Sequence, residues 1–171
     1  MAYAVVSEAQ ADAAEYGLDV VDTVYDMLVA NAGTIKSVSK LGRRTLAADS
    51  IYRSSDKLPA RTPFILLEPV ETRAEVWTMG PTGTGERRMD FNVLVTIVDE
   101  VIGDSVTLTR SMMQLADRVH EAFARNSTLD GFCVDSQISP ARYGYFAPEG
   151  GRRYLLGARM TFMGFKIVDI L

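Results

Sequence analysis

The chain has 171 residues, of which 47% are hydrophobic and 23% are charged. This length and composition predict one globular domain that folds on its own hydrophobic core, and they exclude a wholly disordered or fibrous protein. A formal net charge of −4 argues against nucleic-acid binding by the surface as a whole, and the single cysteine, Cys133, excludes an internal disulfide or a multi-cysteine metal site.

The N-terminus has neither the basic start nor the apolar stretch of a signal peptide, and no uncharged run is long enough to cross a membrane. We therefore expect a protein that is made in a cytoplasm and does not contact a membrane.

Residues 7–31 are predicted to form the first helix, which begins at Ser7, a suitable N-cap. Acidic side chains recur there every three or four residues and so share one stripe of the helix: Glu8, Asp12, Glu15, Asp19, Asp22 and Asp26. Apolar residues from Ala13 to Leu28 occupy the opposite side, as expected for a helix that packs on a core.

Neither a helical nor a strand period is present in residues 34–63, a segment rich in Ser, Thr, Gly, Lys and Arg. Structureless segments above about 12 to 15 residues are uncommon inside compact domains, so this one is either functional or disordered in the free chain. We expect a single domain over residues 1–171 in which 34–63 forms a long extended or mobile loop.

After Pro63 the pattern is typical of strands. Residues 64–70 and 73–80 precede a Gly-rich turn, and a strand of alternating polarity follows over residues 88–99. The segments on the two sides of the turn are predicted to form a hairpin.

A second amphipathic helix is predicted over residues 104–126. Its apolar positions have helical spacing: Leu108, Met112, Leu115, Ala116, Val119 and Phe123. A short strand near 132–138, a loop over 139–151 and a closing strand over 153–170 follow, with a bulge or bend expected near Gly164. The predicted fold class is α+β, a mainly antiparallel sheet with a long hairpin, packed by two amphipathic helices.

Residues 80–87 share their glycines with a phosphate-binding loop, G-x-x-x-x-G-K-[ST], but not its last two residues. Glu86 replaces the lysine that contacts phosphate, and Arg87 replaces the Ser or Thr that holds magnesium. The segment also leads into a strand and not into a helix. We interpret it as the tip of the hairpin, without nucleotide binding.

No assembled catalytic or metal site is evident from the sequence. His120, the only histidine, lies beside the apolar stripe of the second helix, and a pairing of His120 with Cys133 as base and nucleophile has no third orienting residue to support it. We therefore expect no enzymatic activity, no cofactor and no metal.

Charge is segregated along the first part of the chain. Residues 1–35 contain six acidic side chains and no basic one. Residues 36–61, which we call the basic segment, contain seven basic and two acidic ones. Like charges at helical spacing cost about 0.2 to 0.5 kcal/mol per pair, so a cationic neighbour would relieve the acidic stripe. Three interpretations stay open: solvated surfaces, contact of the basic segment with the acidic helix of the next copy, and contact of the basic segment with DNA.

Taken together, the order of elements resembles the tail terminator and tail completion proteins of long-tailed bacteriophages. The resemblance covers most of the chain: an opening helix (7–31), a long loop, a hairpin of unequal strands (64–99), an amphipathic helix (104–126) and the closing segment GRRYLLGARMTFMGFKIVDIL. It is a resemblance of pattern, without an invariant motif.

The resemblance implies a virion protein, assembled in the host cytoplasm, that forms a homo-oligomeric ring, hexameric in that family, caps the tail tube and provides the tail side of the head–tail joint. It implies contacts with the tail tube protein and the head–tail connector protein, DNA that only passes through the ring, no cofactor and no catalysis. The alternatives are a head–tail connector or neck protein, a tail tube protein and, from a different class, a small cytoplasmic ligand-binding domain or enzyme.

Long loops contact neighbouring subunits in that family, and the matching segments here are 34–63 and 80–87. Trp77, the only tryptophan, is interpreted either as a half-buried packing residue or as an anchor in a protein interface. The residues that we expect at subunit contacts are Asp12, Glu15, Asp19, Asp22, Arg43, Arg44, Arg53, Trp77, Glu86 and Arg87.

Overall fold

Two α-helices and two short 3-10 helices, Ala32–Thr34 and Ala48–Ser50, lie in the parts of the chain that the structure describes. The computed structural model describes residues 16–39, 42–53, 61–79, 85–100, 105–146 and 155–170. Helix α1 spans Tyr16–Asn31 and helix α2 spans Ser105–Arg125. Both helices end within one residue of the predicted position, whereas the predicted start of α1 at Ser7 lies outside the described residues.

The same described residues contain eight strands in two sheets. A small sheet pairs β1 with β2, and the main sheet has six strands in the order β3-β4-β5-β8-β6, with β7 also paired to β8. The pairs of the main sheet are antiparallel except for β3 and β4, which are parallel. The strands are β1 (Lys36–Ser39), β2 (Gly42–Thr45), β3 (Ile51–Arg53), β4 (Phe64–Met79), β5 (Gly85–Glu100), β6 (Asp135–Ile138), β7 (Arg142–Phe146) and β8 (Leu155–Ile170).

The main core lies between the helices and one face of the main sheet, which we call the helix-side face. Every second residue of β5 and β8 faces this core: Met89, Phe91, Val93, Val95 and Ile97 of β5, and Leu156, Ala158, Met160 and Phe162 of β8. Residues 95–99 of β5 and 155–158 of β8 are buried on both faces, and Phe64, Val98 and Leu155 form a second, smaller cluster there. The helices contribute Val20, Val24 and Leu28 of α1 and Met112, Leu115, Val119 and Phe123 of α2. Burying each such large side chain contributes about 1.5 to 3 kcal/mol.

The predicted fold class is confirmed. The sheet is mainly antiparallel, β4 and β5 form the long hairpin, and the apolar stripe of α2 is buried at Met112, Leu115, Ala116, Val119 and Phe123. The opposite face of the main sheet, which we call the open face, presents Leu94 of β5 and Arg159, Thr161 and Met163 of β8, all partly or largely exposed.

Four details of the predicted secondary structure are wrong. Residues 64–70 and 73–79 belong to one continuous strand, β4, because two β-bulges absorb the change of parity, and residue 80 lies outside the described residues. The loop expected over 139–151 contains β7, which pairs with β8. Segment 34–63, expected to lack regular structure, contains β1, β2 and β3; whether it is mobile stays a prediction.

The bulge expected near Gly164 is also absent, since β5 and β8 keep one register from the Gly85–Ile170 pair to the Glu100–Leu155 pair. The closing strand therefore does not change face. Phe165 and Ile167 simply point to the open face, where they remain partly exposed. Apolar side chains on both faces of β8 produce the sequence pattern that predicts a bend.

Gly164 has a packing role instead. A Cβ atom at this position would lie 3.2 Å from Cys133 Sγ, from Phe162 Cζ and from Ser136 Cβ. The first two groups are buried, and the Phe162 ring packs against Phe123 with their centroids 5.2 Å apart. Glycine therefore allows β6 and the segment before it to approach β8 closely.

We predict that Gly164→Ala lowers the free energy of unfolding by about 1 to 3 kcal/mol, because the added methyl group overpacks a site whose neighbours are held in the core. Gly144→Ala in β7 is the matched control, since a Cβ there meets nothing within 4 Å. It should change stability by less than about 0.5 kcal/mol. Urea unfolding followed by circular dichroism measures both variants, and equal stabilities would contradict the packing role of Gly164.

Candidate subunit interface

The acidic stripe of α1 lies on the surface. Asp19, Asp22 and Asp26 are exposed, while Asp12 and Glu15 of the same stripe lie outside the described residues. In the part of the chain that the structure describes, Asp19 and Asp26 form no ion pair. Two carboxylates of the stripe are therefore available to a cationic partner.

Arg53, at the end of β3, contacts the acidic stripe of its own chain. Its Nη1 atom lies 3.0 Å from Asp22 Oδ1, and its Cζ atom lies 4.1 Å from the centroid of the Tyr25 ring. Asp22 and Tyr25 are three residues apart on α1 and so are neighbours on its surface, which lets one guanidinium reach both. This contact holds the basic segment against α1 within a subunit.

Arg43 and Arg44 lie in β2, opposite Val38 and Ser37 of β1. The β1–β2 pair lies beside α2. The basic segment is thus divided between two places in the fold, and contact of Arg43 or Arg44 with another copy stays a prediction.

The outer half of β4, defined here as residues 68–75, is exposed along its whole length. All eight consecutive residues are exposed, including Val70 at 60%. The strand pairs with β5 on one side, but β3 pairs only with residues 65–67, so the other edge of the outer half has no partner strand among the described residues. An unpaired strand edge is a surface on which another chain can pair.

Charges and bulges restrict how another chain can use this edge. Glu71, Arg73 and Glu75 alternate along it, and Arg73 Nη2 lies 2.7 Å from Glu75 Oε1. The register with β5 shifts at Val70 and again at Trp77. Because charges and bulges oppose continuous pairing, the outer half of β4 suits a contact of limited length and not open-ended sheet growth.

The end of the long hairpin contains the other predicted contact residues. Trp77 is the extra residue of the second bulge, between the pairs Val76–Arg87 and Thr78–Glu86. Arg87 is exposed and Glu86 is partly buried. Residues 80–84 lie outside the described residues, but the strand predicted to follow them is confirmed, because β5 begins at Gly85.

The open face carries a groove of about 980 Å³ that the sequence did not reveal. Leu94, Arg159, Thr161 and Met163 line it from the sheet, and residues 139–140 and 142–145 line it from the edge where β7 pairs with β8. Arg142 of β7 lies directly opposite Arg159 of β8. Both side chains are exposed, and neither forms an ion pair within the described parts of the chain.

Of these two arginines, only Arg159 could have been placed on the open face from the sequence. Arg159 interrupts the apolar run of β8 between Ala158 and Met160, and a period of two places it on the face opposite to theirs. Its partner was hidden because β7 was interpreted as a loop. At the groove, partial burial and then the negative charge of Asp117 raise the pKa of Tyr143.

Cys133 and His120 occupy different environments. Cys133 is buried, and burial raises its pKa from 9.0 to about 11, although the positive charge of Lys166 acts in the opposite direction. His120 is exposed, beside a cavity of about 230 Å³ that Cys133 does not line. A reactive cysteine needs a lowered pKa, so this thiol has the properties of a core residue.

Within the described ranges, no three His, Cys, Asp or Glu side chains are grouped so that they could hold a metal ion. Neither α1 nor α2, as far as each is described, combines the length and the apolar character needed to cross a membrane. No protein-family model matches the sequence, and no curated protein matches it.

We predict that Arg53→Met lowers the free energy of unfolding by about 1 kcal/mol, because it removes a half-exposed ion pair and a cation–π contact, each worth about 0.2 to 1 kcal/mol. Arg61→Met is the control, because Arg61 lies 3.9 Å from Asp49 with both side chains more than 70% exposed. A double-mutant cycle with Asp22→Asn should give a coupling energy that decreases as salt is added. A coupling of zero at low salt would show that the contact contributes nothing.

We also predict that Cys133 reacts slowly with a thiol reagent in the native protein. A rise of the pKa from 9.0 to about 11 lowers the thiolate fraction near neutral pH about a hundredfold, and burial restricts access further. Val134→Cys provides the control. The Val134 side chain, next to Cys133 in the sequence, is 53% exposed, so a cysteine at position 134 should react fast in the same molecule. Two fast thiols in that variant would contradict the buried state of Cys133.

Proposed function

We propose that this protein is a structural subunit that assembles with copies of itself and acts through its contacts with neighbouring chains. The observation that carries the proposal is the outer half of β4, with its eight exposed residues and its unpaired edge. Ordering the backbone of one residue costs about 1 to 2 kcal/mol, and exposed side chains on a strand that is paired along one edge only recover little of that cost. Extended strands of this kind are used where a neighbouring chain receives them.

The open face supports the same proposal. Met163, Phe165 and Ile167 follow one another on this face of β8, partly exposed, with Ile167 at 39%. The guanidinium of Arg88 lies 4.2 Å from the centroid of the Phe165 ring. Aromatic residues, methionine and arginine are enriched in protein interfaces, so this row suits contact with another chain.

Within this class, we propose that the protein is a tail terminator of a long-tailed bacteriophage. As such it would form a ring, hexameric in the family that its sequence pattern resembles, that caps the tail tube and joins it to the head connector. An α+β fold with a long hairpin and two helices on one face of the sheet is consistent with that pattern. The roles of head–tail connector and tail tube protein are the alternatives, and a tube protein should contain more strand and less helix.

Purified protein should form rings with a central hole in negative-stain images, and light scattering should give a mass that is a multiple of the 18.8 kDa chain. A shortened hairpin, in which Asn-Gly replaces residues 76–87, should reduce this mass. The replacement joins the cross-strand partners Glu75 and Arg88 by a two-residue turn and so preserves the rest of the hairpin.

A point variant at Trp77 tests the same contact without shortening the hairpin, and a second point variant is its control. Trp77→Ser should weaken assembly, whereas Val134→Ser, which removes an exposed apolar side chain just before β6, should not. Circular dichroism confirms the fold in each case. A parent protein that stays monomeric up to about 100 μM and forms no rings would refute the proposed function.

A further inference from the structure

We propose that the groove containing Arg142 and Arg159 on one subunit binds the acidic stripe of α1 on the next subunit. The residues of the stripe that carry this inference are Asp19, Asp22 and Asp26. This inference rests on the proposed homo-oligomer and specifies one of its contacts. It differs from the contact considered on sequence grounds, because the cations come from β7 and β8 and not from the basic segment.

The two arginines form an unfavourable pair in the isolated subunit. Arg142 and Arg159 are direct cross-strand partners in the β7–β8 register. Partners of this kind have Cβ atoms about 4.5 to 5.5 Å apart, and like charges at this distance destabilise the pairing. Neither arginine forms an ion pair with any described residue. An anionic partner would remove this repulsion.

The groove has room for a partner and the side chains to hold one. Its volume of about 980 Å³ is bordered by Leu94 and Met163, which supply apolar surface, and by Ser139 and Thr161, which supply polar groups. Arginine and methionine beside apolar surface are typical of the centre of a protein interface. The groove thus offers two cations above a partly apolar floor.

The acidic stripe of α1 matches the arginine pair in charge and spacing. Asp19 and Asp22 are three positions apart on α1, and Asp22 and Asp26 are four positions apart. Side chains at such positions of a helix are about 5 to 6 Å apart, which is close to the spacing expected for cross-strand partners such as the two arginines. Asp19 and Asp26 have no ion pair among the described residues, and Asp22 remains 52% exposed beside Arg53. A carboxylate accepts several hydrogen bonds, so Asp22 has capacity for a second guanidinium.

The two surfaces lie on opposite sides of the sheet. Helix α1 packs on the helix-side face through Val20, Val24 and Leu28, whereas Arg142 and Arg159 are on the open face. A contact between them is therefore head-to-tail between copies, and contacts of that kind generate rings or filaments. Bulk DNA is the less favoured occupant, because the chain as a whole carries a formal charge of −4.

The test reverses charges on each side and measures assembly by analytical ultracentrifugation at low salt. Arg142→Glu with Arg159→Glu should raise the dissociation constant at least tenfold, and so should Asp19→Lys with Asp26→Lys. The four changes in one chain should restore much of the assembly, because opposite charges face each other again. Arg110→Glu with Arg118→Glu, two exposed arginines of α2, is the control and should leave assembly unchanged.

A second measurement does not depend on charge. Mixed Asp26→Cys and Arg159→Cys proteins should form a disulfide-linked heterodimer under mild oxidation, whereas Asp130→Cys in place of Asp26→Cys should not. If the parent assembles and the groove variant assembles equally well, without the cross-link, this inference is wrong while the proposed function stands. If the parent is monomeric, the proposed function itself has failed. If the parent binds duplex DNA and only that binding is lost in the groove variant, the groove binds phosphate and the inference is overturned.

Discussion

The shared register of β5 and β8 is the constraint on which most of the structure depends. The two strands pair over sixteen residues without a shift, so parity decides which side chains face the helices. It places Phe91 and Phe162 under the helices, and it directs Arg159 and Met163 to the other side. The close approach at Gly164 follows from the same pairing, because β6 and the segment before it must fit against a strand that cannot bend away.

The sequence predicted the elements whose periodicity is long enough to read. Strand β5 and helix α2 were found because each repeats its apolar pattern several times, and the class of fold followed from them. Strand β3 was missed because three residues, Ile51–Arg53, contain no period and are held by the parallel edge of β4. Strand β7 was missed because its residues are polar, aromatic or glycine, and only its pairing with β8 makes it a strand.

The candidate contact surfaces were predictable only in part, for a related reason. The acidic stripe is a local pattern and was visible, but its contact with Arg53 joins residues that are far apart in the chain and requires the fold. The arginine pair is also a product of strand pairing. Charge segregation along a sequence thus indicated that cations and carboxylates meet, without indicating which cation meets which carboxylate. In the folded chain Arg53 contacts the acidic stripe of its own subunit, whereas Arg142 and Arg159 are exposed on the open face.

Because β4 contains two bulges, it should tolerate inserted or deleted residues better than β5, its partner in the long hairpin. An extra residue in β5 or β8 would turn every following side chain to the wrong face, because each strand is paired on both sides over most of its length. In β4 the surplus residues Val70 and Trp77 already sit outside the register, and the outer edge has no described neighbour to disturb. Insertions and deletions should therefore accumulate in β4 during evolution, so that the hairpin can change its reach while the layer beneath the helices stays constant.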